Sequence, residues 1–97
     1  MKIARLIKYL CRRKLDKSSW LEVEGPECYW YCEKSRRFRF YREVINRNAV
    51  VVHLKRRTEW ESSSNRGWMT EQEYAAIASK LQKHFEREWG QCNVSEK

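Results

Sequence analysis

Apolar positions along the chain follow two periods. Ile3, Leu6, Ile7 and Leu10 fall at i, i+3, i+4 and i+7, which predicts an amphipathic helix over residues 2–13 with Lys2, Arg5, Lys8, Arg12 and Arg13 largely off its stripe. Asp16 to Ser19 then read as a loop. From Trp20 to Glu24 the period is two: Leu21 and Val23 share one face, and Trp20, Glu22 and Glu24 the other. Gly25-Pro26 predicts a turn, Cys28 to Glu33 a second strand, and Lys34-Ser35-Arg36 a short hairpin loop. Arg37 to Arg42 carries the clearest alternation, Phe38 and Phe40 against Arg37, Arg39 and Tyr41. Asn46-Arg47-Asn48 predicts a turn, because Asn tolerates turn backbone conformations. Ala49 to Leu54 is apolar on both faces apart from His53 and predicts an interior strand. Lys55 to Glu61 either extends it or forms an edge strand around Trp60, and Ser62 to Gly67 reads as a flexible loop.

The last element has the strongest local signal. Thr70 followed by Glu73 is a capping box, with Met69 placed to staple onto Tyr74. Tyr74, Ile77, Ala78, Leu81, Phe85 and Trp89 form one apolar stripe, and Gly90 sits where a helix-ending glycine belongs. The expected fold class is therefore α+β: an N-terminal amphipathic helix, an antiparallel meander of four or five strands and a C-terminal helix, with both helices on one sheet face. One compact domain is expected over residues 1–90, with 91–97 fraying.

That layout leaves one sheet face open. If Phe38, Phe40, Val50, Val52 and Leu54 face the helices, Arg37, Arg39 and Tyr41 emerge on the other side. Tyr29 and Tyr31 would join them, unless the parity of their strand puts Cys28, Trp30 and Cys32 outside instead. Rings stack on bases and guanidinium groups neutralise phosphates, so such a face suits single-stranded nucleic acid. A duplex held by its phosphates is a further possibility. The expected contacts are Arg37, Arg39 and Arg42 on phosphates and Tyr29, Tyr31 and Tyr41 on bases, with Lys55, Arg56 and Arg57 extending the basic track.

Charge strengthens this expectation. Residues 34–57 hold nine Lys/Arg and the single acid Glu43, a local excess of +8 that equals the net charge of the whole chain. Residues 1–17 carry +6 and the remainder −6, so the positive charge is placed rather than diffuse. Glu22, Glu24 and Glu33 could nonetheless pair with the arginines and cancel much of the field. Trp, Tyr and Arg are also the residues enriched at interface hot spots. The alternative function is accordingly a small inhibitor or adaptor of the phage or mobile-element type, binding an acidic protein partner or blocking a nucleic-acid-processing enzyme. Trp60 and Trp68 could anchor such a partner, or cap the core at the sheet edge.

Other chemistry has little support. Ninety-seven residues make one domain, and five Trp, five Tyr and three Phe give its core a high aromatic content. No apolar run approaches the roughly 20 residues that span a bilayer. Charges interleaved through the N-terminus break any signal-peptide apolar region, so a cytoplasmic location is expected. The N-terminal helix could also lie on an anionic membrane surface, although docking on the sheet is simpler. Cys28 and Cys32 in an extended strand would lie about 13 Å apart, too far for a mutual disulfide or one shared zinc ion. Reduced thiols, no metal and no cofactor are expected. His53 and His84 occupy packing or surface positions rather than paired catalytic ones, and no phosphate loop or nucleophile elbow occurs. No enzyme activity is expected. Arg37 to Tyr41 followed by Val50 to Arg57 resembles the central hairpin of RelE-type ribosome-dependent RNase toxins. That pattern is shared by many basic hairpins, the family's preceding helical hairpin has no counterpart here, and no active site carries over.

Overall fold

A computed structural model describes residues 12–62 and 67–96. In chain order they form β1 (Arg12–Lys14), β2 (Ser19–Val23), β3 (Cys28–Glu33), β4 (Arg36–Asn46), β5 (Ala49–His53), β6 (Glu59–Ser62), β7 (Gly67–Trp68), α1 (Glu71–Trp89) and β8 (Gln91–Ser95). The sheet order is β1-β2-β3-β4-β5-β8. β6 pairs with β4 through Arg36 and Arg37, and β7 pairs with β6.

This overturns the expected two-helix layout. The described residues contain one helix, α1, against eight strands. Of the helix predicted over 2–13, residues 12 and 13 lie instead in strand β1, antiparallel to β2, and the rest lies outside the described residues. Alternation across the sheet edge takes the residues of β1: Arg12 pairs with Glu22 and Lys14 with Trp20, giving each backbone a partner that a frayed helix end would lack. The chain end is a second correction. Where fraying is expected after Gly90, Gln91–Ser95 form β8, parallel to β5 in an otherwise antiparallel sheet. Cys92 and Val94 alternate into the core side beside Val50 and Val52, and that burial holds the strand.

The helix forms where its caps place it. The Thr70 side chain accepts from the Glu73 backbone amide at 3.1 Å, and the Glu73 carboxylate accepts from the Thr70 amide at 2.9 Å. Its stripe of Tyr74, Ile77, Leu81 and Phe85 is buried against Leu21, Tyr29, Tyr31, Phe38, Phe40, Val50, Val52 and Leu54. Trp60 is buried in the same core, edge-on to Phe38 at 5.1 Å, so it is a core residue and not an exposed anchor. Trp68, by contrast, is 57 % exposed.

The hairpin between β3 and β4 decides what the open face carries. Its loop is Lys34-Ser35, one residue shorter than the sequence suggests, so Cys32 pairs with Arg37, Tyr31 with Phe38 and Tyr29 with Phe40. Cross-strand partners share a face, and one residue of slip exchanges the faces of a whole strand. Tyr29 and Tyr31 therefore follow the phenylalanines inward, and Cys28, Trp30 and Cys32 face out.

Candidate nucleic-acid interface

Four cross-strand rows make up the face opposite α1, which no described element covers. One row runs Lys14, Trp20, Cys32, Arg37, Glu61, and the next Arg12, Glu22, Trp30, Arg39. A third joins Cys28, Tyr41 and His53, with Glu24 close to Cys28. The last pairs Glu43 with Val51.

Trp30 is the centre of this surface. The Arg37 guanidinium carbon lies 4.2 Å from the ring centroid and that of Arg39 4.9 Å. Both arginines sit on β4 beside Trp30 on β3, so the sheet register brings them over one ring. Arg12 repeats the arrangement over Trp20 at 4.6 Å. A guanidinium over a ring face is attracted by the ring and can still offer edge donors to an anion or carbonyl. Tyr41, 52 % exposed, adds a third ring.

Acids are interleaved with these cations. Glu22 accepts from Trp20 Nε1 at 2.9 Å and pairs with Arg12 at 3.5 Å, and the indole N–H is the main reason its carboxyl sits below the usual range. Glu24 accepts from the Cys28 thiol at 2.9 Å and lies 3.6 Å from Arg39. His53 and Glu43 meet at 2.9 Å. The open face thus balances Arg12, Lys14, Arg37 and Arg39 against Glu22, Glu24, Glu43 and Glu61, so the local field is weaker than the run of bases in the sequence suggests. Arg37 has no carboxylate within ion-pair distance among the described residues.

The residues singled out from the sequence divide into three groups. Arg37, Arg39 and Tyr41 share the open face. Tyr29 (7 % exposed) and Tyr31 (0 %) belong to the core, where Tyr29 stacks on Phe40 and Tyr31 on Phe38, so neither can receive a base in the folded chain. Arg42 lies on the helix side with them, over the Trp89 ring at 5.1 Å. In the loop between β5 and β6, Arg56 turns to α1, pairing with Glu71 and Glu96 and lying over Tyr74, while Arg57 lies over Trp68 at 5.6 Å. Lys55 is exposed in the same loop. Trp20, Trp30 and Arg12 were not among the expected contacts; the alternation that places Tyr29 and Tyr31 on one side of β3 places Trp30 on the other.

The remaining chemistry is quiet. Burial raises the thiols of Cys28 and Cys92 to about 11 and that of Cys32 to about 12, with Glu24 and Glu22 adding to the shift at Cys28 and Cys32. Among the described residues no three His, Cys, Asp or Glu side chains gather as a metal site, and no helix is long and apolar enough to cross a membrane. No protein-family model, curated protein or solved structure matches this chain.

Proposed function

We propose that this chain is a small nucleic-acid-binding module that takes a single strand on the open face of its sheet. Trp20, Trp30 and Tyr41 offer stacking surfaces, in place of Tyr29 and Tyr31. Arg12, Arg37 and Arg39 meet phosphates. The observation that carries this reading is the pair of guanidinium groups held over Trp30. Unstacked bases layer on ring faces and on guanidinium planes alike, so Trp30 with its arginines is a ready stacking site with phosphate donors at its rim.

A second reading is a protein partner, favoured by the alternation of Glu22, Glu24, Glu43 and Glu61 with the bases. Such a checkerboard complements another mixed-charge protein surface better than a uniform polyanion. Salt dependence separates the two. With three phosphates engaged, single-strand affinity measured by fluorescence anisotropy should fall about 20-fold between about 50 and about 200 mM salt. The double variant Arg37→Glu, Arg39→Glu should abolish binding while circular dichroism stays unchanged. Intact binding by that variant, or no binding of single-stranded RNA or DNA by the wild type at low salt, rejects the nucleic-acid reading.

A further inference from the structure

At the hairpin end of the open face lies a depression of about 360 Å³, bordered among others by Trp20, Lys34, Arg37 and Glu61. Two other carboxylates on its wall are already engaged. Glu22 is held by Trp20 and Arg12, and Glu33 accepts from the Tyr31 hydroxyl at 2.8 Å and pairs with Arg36. Glu61 differs. It is exposed, stands beside Arg37 in the β4–β6 register, and has no hydrogen bond or ion pair with any described residue. Lys34, also exposed, is equally uncommitted.

These groups define a ligand with three chemical features. An aromatic wall takes a flat ring, and Lys34 with the Trp30-stacked Arg37, neither ion-paired among the described residues, take an anionic group. A free carboxylate accepts two hydrogen bonds side by side. Among the common bases only guanine presents two adjacent donors, N1–H and the N2 amine, on its pairing edge. Adenine and cytosine put an acceptor nitrogen beside the amine, and uracil sets its single N–H between two carbonyls. Trp20, Cys32, Arg37 and Glu61 stand in one cross-strand row, so Trp20 and Glu61 are three strand spacings, about 14 Å, apart at Cα, and both border the same depression.

Resting on the single-strand reading above, we propose that this depression is a guanine-selective subsite. Trp20 stacks on the base, the Glu61 carboxylate accepts from N1–H and the N2 amine, and Lys34 and Arg37 hold the flanking phosphates. The Glu61 carboxylate disfavours a base that presents acceptors there, because two negatively polarised atoms would face each other where guanine places donors.

The test is fluorescence anisotropy on the full chain with an oligouridine carrying one central guanosine, inosine, adenosine or cytidine. The guanosine oligomer should bind at least about tenfold more tightly than the all-uridine one, with inosine, which lacks the N2 amine, in between. Glu61→Gln should bring the guanosine oligomer to within about twofold of the all-uridine one measured on the same variant; Glu59→Gln, on an exposed neighbour in β6, should leave the preference intact. Equal affinity for all oligomers, or a guanosine preference that survives Glu61→Gln, overturns the subsite and leaves the single-strand reading standing. Binding of none of them, with Glu61-dependent binding of an arginine-bearing peptide instead, overturns both.

Discussion

Arg42 and Tyr29 meet on the helix side of the sheet, where Arg42 Nη1 donates to the phenolic oxygen at 2.7 Å. A second donor, Nη2, reaches the Pro26 carbonyl at 2.6 Å and ties the turn before β3 to β4. Two residues whose types suit phosphate and base contact are thus bound to each other. Arg42→Ala should lower stability by about 1–3 kcal/mol in urea unfolding, since it removes charge-assisted hydrogen bonds and the packing over Trp89. Single-strand affinity of that variant should stay within about twofold of wild type, the outcome for a residue off the binding face. A loss as large as that of the Arg37, Arg39 variant would return Arg42 to the interface.

Acid should weaken the fold through Asp16. Its carboxylate pairs with Lys80 at 2.7 Å and accepts from the Ser19 hydroxyl at 2.7 Å and the Ser18 amide at 2.9 Å, which hold its pKa well below the ordinary carboxylate value, Lys80 foremost. A depressed folded-state pKa contributes stability above the unfolded value of about 3.9 and loses it as pH falls below that. Glu22 and Glu73 are shifted in the same sense, by the Trp20 indole and the Thr70 amide first of all. The urea midpoint should therefore drop as pH falls below about 4. Asp16→Asn should lower the neutral plateau and flatten the acid limb. Because Asp16 is 39 % exposed, added salt should shrink the difference.

Thiol reactivity reports on the face parity of β3. At about pH 8 a thiol raised to about 11 is ionised in about one molecule in a thousand. With Cys11 replaced by serine, the folded chain should react slowly with a thiol-disulfide reagent, and unfolding in urea should release a fast phase. Cys28, on the open face, should respond to Glu24→Gln with a faster rate, because the carboxylate raises its pKa. Unchanged kinetics in that variant would remove the Glu24–Cys28 contact from the description.

Gly90 joins α1 to β8 with φ at 108°, a conformation that costs L-residues. A Cβ there would meet the Asn48 carbonyl oxygen at 3.2 Å, the same oxygen that accepts from the Gln91 amide at 2.8 Å. Gly90→Ala should cost more than about 1 kcal/mol in urea unfolding. It should also speed amide exchange across β8 more than across β2, since the strain falls on the β5–β8 junction.

By itself the sequence determined the elements with short-range codes. The Thr70–Glu73 box and the stripe from Tyr74 to Trp89 contain all that α1 needs, and alternation around Phe38 and Phe40 marks β4 and its buried side. The Asn46 side chain accepts from the Asn48 amide at 2.8 Å, so the turn before β5 is equally local. Tertiary structure decided everything that depends on pairing. A single residue in the β3–β4 loop sends Tyr29 and Tyr31 inward and Trp30 outward, because side chains alternate with a period of two and register is settled only when both strands bury their apolar faces together. β8 exists because α1 returns the chain to β5, a contact between segments 42 residues apart at the Ala49–Gln91 pair, and the short alternation of Cys92 and Val94 does not by itself name that partner strand. The charge balance is also a product of folding. Glu22, Glu24 and Glu61 are distant from the basic run or lie past its end, and the sheet carries them onto the same face as Arg37 and Arg39.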